Sequence, residues 1–302
     1  MALNYGAGKP SETGNVIKML TMRERSFPRK RPYASGAGFC STQVWFHANR
    51  EAGEYVLSPS LNLFQGIGSG VEDRIVEGFE AHKQLLGKQV KLPNPPPSFK
   101  IDVGGYIDLV AFDHNGDIAA YEVKTASSIP SEPKIAHFSQ AMTYACLGGF
   151  DKVYIVYVAR NVQNFPDPTP LVKAFLIDVE ANLLEYMTTI VMSCYHMHDK
   201  KAPHRPAHFR KSRECQFCDF QAQCWGESGF EFKDFDGALE DRAAAERVAA
   251  ELIELRPTFF GEALSNAKGG APPYAIKALD ERLAIINSGK GAKKLRSRTT
   301  VV

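Results

Sequence analysis

Asp108, Glu122 and Lys124 are residues whose types and spacing could do chemistry together. Asp108 interrupts an apolar run, Tyr106-Ile107-Asp108-Leu109-Val110-Ala111-Phe112. The turn His114-Asn115-Gly116-Asp117 follows, and a second apolar run from Ile118 to Thr125 carries Glu122 and Lys124. Asn-Gly between two strand-like runs signals a hairpin. Positions i and i+2 of a strand share a face, so Glu122 and Lys124 point the same way. The hairpin brings Asp108 toward Glu122. Two carboxylates and an ammonium on one sheet face are costly to desolvate. A divalent cation held through oxygen would relieve the repulsion between the acids.

The elements that must position this hairpin follow from periodicity. Phe39 to Phe46 reads as a helix start with an aromatic face and Cys40 at its N-terminal end, where the helix dipole favours a thiolate. By itself Cys40 reads as a buried apolar thiol. Residues 49–70 read as turn-rich. Val71 to Leu86 has helical period, with Ile75, Val76, Phe79, His82 and Leu86 near one stripe. Alone, His82 on such a face reads as a core histidine. Gly78, one turn earlier, marks a close approach of a backbone or ligand, since glycine within a helix costs about 1 kcal/mol relative to alanine.

After the hairpin, Lys134 to Leu147 reads as a helix ended by Gly148-Gly149. Gln140 and Tyr144 lie four apart on one of its faces. Unaided, they read as a surface Gln and a half-buried Tyr. Lys152–Ala159 and Val172–Val179 read as strands and Glu180–Tyr195 as a helix. The order implies an α/β fold, a central mixed β-sheet flanked by helices.

Cys215, Cys218 and Cys224 form C-x2-C-x5-C in a short turn-like segment, which points to metal or cluster binding. Cys40 is the natural fourth ligand. Zinc and an iron–sulfur cluster both suit four thiolates. Cys146 and Cys194 read as core thiols. His196, His198, His204 and His208 read as a basic loop facing nucleic acid. Gly6-Ala7-Gly8-Lys9 is not a phosphate loop, because Leu3 stands where the first glycine belongs and Pro10 replaces Ser/Thr. Ala238–Leu255 and Pro272–Ser288 read as helices beyond the cysteines, and 289–302 as a basic disordered tail.

Hydrophobic content of 44% and charge of 23% are ordinary for a globular protein, and the net charge is only +2. The basic residues are clustered: six Lys/Arg against one acid in 18–31, six against two in 199–214, five against none in 290–302. Three such runs point to a polyanionic partner. There is no apolar span for a bilayer and no leader-like segment. Six unevenly spaced Cys do not make a secreted disulfide framework, and a cytoplasmic location is expected, in a bacterial cell or in the host if phage-encoded.

Together these residues resemble the PD-(D/E)xK nuclease superfamily in its RecB-like branch. The combination is most similar to the CRISPR-associated iron–sulfur exonucleases and their phage and AddB-type relatives. His82, after Gly78 in a GxxxH pattern, matches the family's helical histidine. Asp108 in Gly-x-x-Asp matches the first metal carboxylate, Glu122 and Lys124 the (D/E)xK pair, and Gln140 and Tyr144 the QxxxY motif. Cys40, Cys215, Cys218 and Cys224 match the ligands of a 4Fe–4S cluster.

The resemblance implies a restriction-endonuclease-like core over 33–226 with an iron–sulfur segment. A basic segment, 1–32, precedes it and an appended C-terminal helical region, 227–302, follows, open to protein partners or DNA. It implies an exonuclease acting on single-stranded or end-containing DNA in recombination, repair, phage or CRISPR-type processing. Mg²⁺ or Mn²⁺ would be held by His82, Asp108, Glu122 and the Val123 carbonyl, with Lys124 acting on the attacking water. Gln140 and Tyr144 would position the phosphate or a base. Three rivals remain at this level: a non-catalytic DNA-binding module, a redox sensor built on the cluster, and a site-specific endonuclease. An intact Asp108/Glu122/Lys124 set weighs against the first.

Overall fold

The computed structural model of the chain describes residues 30–49, 59–160, 171–199, 201, 218, 220–225 and 235–288. Cys215, His204, His208 and most of the three basic runs lie outside the described residues.

The chain folds as an α/β structure around a five-stranded mixed sheet. In order come α1 (Ala34–Ala37), α2 (Ser41–Asn49), α3 (Pro59–Ala81), β1 (Leu85–Lys91), β2 (Tyr106–Phe112) and β3 (Ile118–Ala126). They are followed by α4 (Ile135–Gly148), β4 (Val153–Ala159), β5 (Val172–Leu176), α5 (Val179–His196) and α6 (Gln221–Trp225). Three helices close the described chain: α7 (Phe235–Glu254), α8 (Arg256–Lys268) and α9 (Pro273–Asn287).

Strand order in the sheet is β1-β2-β3-β4-β5. All pairs are antiparallel except β3 with β4, which is parallel because α4 carries the chain back across the sheet. The β2–β3 hairpin is closed by Asp113, whose Oδ1 accepts the amides of Asn115 and Asp117 at 2.9 Å each. Its ladder runs from Phe112 opposite Ile118 to Leu109 opposite Tyr121 and goes no further.

The two sheet faces bury different partners. One packs Leu109, Ala111, Ala119, Tyr121 and Val123 against Ile75, Val76 and Phe79 of α3. The other joins Val110, Ala120 and Ile155 to α4, α5 and the helices from 235 onward in one continuous core. Leu252, Phe259, Leu264 and Leu279 are fully buried in that core. The helices expected as an appendage therefore share the core of the sheet.

Two contacts fix them there. Arg256 donates to the carbonyl of Ala145 (3.1 Å), an orphan acceptor in the last turn of α4, and to that of Phe150 (2.9 Å) just beyond the helix. Gly87 lets β1 approach α8: a side chain there would bring Cβ within 2.9 Å of the Ala267 methyl.

Three local expectations need correction. The turn-rich reading of 49–70 gives way to a helix that begins at Pro59. That helix stops at Ala81, and Leu86 lies in β1, a strand the periodicity did not reveal. Leu85 and Leu86 feed a sheet, where two adjacent apolar residues face opposite sides. His196 is buried at the end of α5, where its Nε2 lies 3.3 Å from Asp241 of α7, so it belongs to a helix–helix contact and not to a nucleic-acid-facing loop. His198 is exposed.

Candidate active site

The site forms where β2 and β3 part company. Beyond Leu109–Tyr121 the amide of Val123 has no carbonyl from β2, and the Asp108 carboxylate takes it instead at 2.9 Å. This contact draws Asp108 over the start of the Glu122-Val123-Lys124 segment. On its other edge β3 stays tied to β4, with Glu122 beside Ile155 and Lys124 beside Tyr157.

Glu122 is fully buried. Its Oε1 pairs with the Lys124 ammonium, and its Oε2 accepts the Tyr144 hydroxyl proton. Lys124 also donates to Gln140 Oε1 at 3.2 Å, and Gln140 Nε2 donates to the Tyr144 hydroxyl at 2.9 Å. Lys124, Gln140, Tyr144 and Glu122 thus close a ring of hydrogen bonds between β3 and α4. Gln140 and Tyr144, four apart on α4, are the two residues the helical spacing places together. Both use their polar ends on Lys124 and Glu122.

The charges are strained. Burial pushes the Asp108 carboxyl up to about 8, and the neighbouring Glu122 adds to this against the Val123 amide and Lys124. Burial works to lower Lys124, but Glu122 and Asp108 outweigh it and hold the ammonium above its ordinary value. Burial and Glu122 carry the Tyr144 hydroxyl well above the usual phenol range, so it donates as a neutral group.

A further acid enters from α3. Glu72 is half-buried and accepts from Gln89 Nε2. Its carboxyl is raised by burial and feels Glu122 and Lys124, while Asp108 feels it in turn. The β1–β2 register, with Lys88 opposite Leu109 and Val90 opposite Ile107, sets Gln89 across from Asp108. Gln89 holds φ 47°, a left-handed conformation rare for a residue with a side chain. Sequence reasoning missed Glu72, although a signal was present: Glu72, Ile75, Val76 and Phe79 fall at i, i+3, i+4 and i+7, an acid on a buried stripe.

His82 does not join this group. It lies in the exposed turn after α3, its amide bonded to Gly78. Ten residues of helix separate it from Glu72, about 15 Å along the axis. Gly78 is exposed, and a side chain there would meet nothing within 4 Å, so no close approach explains it.

Asp108, Glu122 and the main chain at Val123 supply hard oxygen donors, which suit Mg²⁺ or Mn²⁺ retaining several waters. A cation would also relieve the repulsion that raises Asp108. Among the described residues no three His, Cys, Asp or Glu are gathered for one ion.

The cysteine region is described in part. Cys40 stands immediately before α2, and its carbonyl accepts from Val44. The segment bearing Cys218 and Cys224 packs on α2, with Phe220 stacked on Phe46 at 5.1 Å and Trp45 beside them. Cys215 lies outside the described residues. Cys146 and Cys194 are core thiols, each pushed up to about 12 by burial.

Among comparisons with known proteins, the model of the PD-(D/E)XK nuclease superfamily matches residues 47–225. No curated protein matches the sequence. The crystal structure of SSO0001 is similar with a TM-score of 0.44 and 18% identity, over 71% of this chain and 96% of that one.

Proposed function

The chain belongs to the PD-(D/E)XK nuclease superfamily, and on that premise we propose that it is a metal-dependent DNA nuclease cutting at Asp108, Glu122 and Lys124. The observation that supports this most is the crowded pair of acids where β2 leaves β3, one of them raised to about 8, with a lysine paired to the other. Perturbed, mutually destabilised charges of this kind mark functional sites.

Asp108, Glu122 and the Val123 carbonyl would hold Mg²⁺ or Mn²⁺. Once bound, the cation supplies a Lewis acid for the phosphoryl oxygen and lowers the pKa of water. Lys124, kept protonated, orients the attacking water by donation and offsets charge at phosphorus. Gln140 and Tyr144 hold Lys124 and Glu122 in register through the ring. Glu72 adds negative charge beside Asp108 and keeps the site cation-seeking.

We take the substrate to be DNA with a free end or a single-stranded stretch, and the activity to be exonucleolytic. The basic runs would guide the strand. Cys40, Cys215, Cys218 and Cys224 are assigned to a 4Fe–4S cluster, with zinc as the alternative. The packing of α2 against Phe220 and Cys224 supports this grouping. The cluster would clasp the start of the core to its far end.

The deciding assay measures cleavage of linear and circular DNA, single- and double-stranded, with and without Mg²⁺ or Mn²⁺. Cleavage of linear strands with circles spared is the expected result. Inertness on every substrate with either metal overturns the nuclease reading, and cutting of circles overturns the exonuclease one. Anaerobically purified protein should be brown and contain iron and sulfide. A colourless protein with stoichiometric zinc would replace the cluster with the alternative.

A further inference from the structure

The helix α4 offers the ring two side chains, Gln140 and Tyr144, but both are consumed within it. A third polar residue shares their face. His137 precedes Gln140 by three and Tyr144 by seven, the spacing of one helical stripe. It is half-buried, and the Lys124 charge bears on it.

Its orientation is fixed from β4. The Tyr157 hydroxyl accepts the Lys134 amide at 3.0 Å and lies 2.7 Å from His137 Nδ1. With one lone pair of that hydroxyl taken by the Lys134 amide, its proton is assigned to Nδ1. Nδ1 therefore accepts, and Nε2 carries the imidazole hydrogen. Burial, with Lys124 and Lys134 nearby, pushes the ring down to about 3, so it stays neutral. Among the described residues nothing accepts from Nε2–H. A half-buried donor is thus pre-set beside the ring.

We propose that His137 Nε2–H donates to a backbone phosphate oxygen of the bound DNA, making His137 a phosphate-positioning residue of the cutting site. This rests on the nuclease reading above. Placed by Tyr157, it holds the strand against Lys124 without adding a second positive charge next to that ammonium. Its contact is to the backbone, so it serves every base alike.

The test uses the full chain and three variants. His137→Phe removes the donor, His137→Gln returns an amide hydrogen near the Nε2 position, and Tyr157→Phe removes the proton that sets the tautomer. Binding of a short single strand is measured with methylphosphonate, a neutral backbone unit, walked along it one linkage at a time. A hydrogen bond to a charged oxygen corresponds to about 10- to 100-fold in affinity. His137→Phe should weaken binding by that factor, with His137→Gln restoring most of it and Tyr157→Phe falling between. At one linkage, methylphosphonate should weaken wild type but add nothing to the His137→Phe loss. The slope of affinity against salt should stay unchanged in His137→Phe, because a neutral donor releases no counterion.

Penalties that add at every linkage overturn the proposal, as does wild-type affinity in His137→Phe. If His137→Phe fails to fold, His137→Gln against Tyr157→Phe carries the same comparison. A wild type that cuts and binds while the penalties add sinks the His137 contact alone. A wild type that neither binds nor cuts sinks the nuclease reading together with it.

Discussion

The two ends of one hairpin carry the same kind of residues and treat them in opposite ways. At the turn, Asp113 and Asp117 share Lys152 at 2.9 and 2.7 Å, and Tyr154 adds a hydroxyl at 3.3 Å from Asp113. At the open end, Asp108 and Glu122 lie near one lysine, Lys124, which pairs with Glu122. Burial works to raise Asp113, yet Lys152 and the amides of Asp117 and Asn115 win and hold it below its ordinary value. Asp108 has one amide and a lysine already committed to Glu122, and it rises to about 8. Two acids and a lysine are thus no signature by themselves. The difference lies in donor supply: a tight turn offers several amides, whereas a strand leaving its partner offers one.

The sharpest way to break that comparison is to remove each lysine. Lys124→Ala should cost about 10²- to 10⁴-fold in metal-dependent turnover, the scale of a lost proton-handling group. DNA binding should survive. Lys152→Ala should leave turnover unchanged and lower the melting temperature by about 3–10 °C, from a hydrogen bond of about 1–3 kcal/mol. Equal losses of activity in the two would erase the distinction.

Next come the acids. Asp108 is near 8 in the fold and about 3.9 in an unfolded chain. Between those values the folded chain keeps a proton that the unfolded chain has lost. Metal-free stability therefore falls as pH rises from about 4 to about 8. Asp108→Asn should flatten that decline and raise the metal-free melting temperature at pH 8 while abolishing metal-dependent cleavage. Asp113 is shifted the other way, so its contribution is present at neutral pH and lost as the solution is acidified. Asp113→Asn should destabilise at pH 7. Melting curves across pH on both variants check the opposite signs.

Smaller effects sharpen the picture. Tyr144→Phe removes the hydroxyl that joins Gln140 to Glu122 and should lower turnover about tenfold; unchanged kinetics would mean the ring does not frame the lysine. Glu72→Gln should move the midpoint of the pH-dependent stability downward by under about one unit, since Glu72 bears on Asp108 less than burial or Glu122 does. No shift at all would remove Glu72 from the site.

Local pattern carried some of this and missed the rest for physical reasons. Asp108, Glu122 and Lys124 were readable because strand alternation and an Asn-Gly turn fix which side chains share a face. Gln140 with Tyr144 followed from helical spacing, but their role did not, since spacing says nothing of what lies opposite. Glu72 was hidden because it lies one turn before the apolar residues Ile75, Val76 and Phe79, and periodicity does not separate a half-buried acid from a solvated one. The strand β1 was too short and too uniformly apolar at Leu85-Leu86 to be told from the helix before it. The burial of Phe259 and Leu279 depends on docking against β1 and α4, contacts across long stretches of chain that no window of sequence displays.

Arg256 and Gly87 fasten the last helices onto β1 and α4. On a growing chain the residues of the candidate site are made early, yet the core behind them lacks a wall until Leu279 has been synthesised. A nascent chain therefore carries every one of those side chains before it can complete the packing that holds them in position.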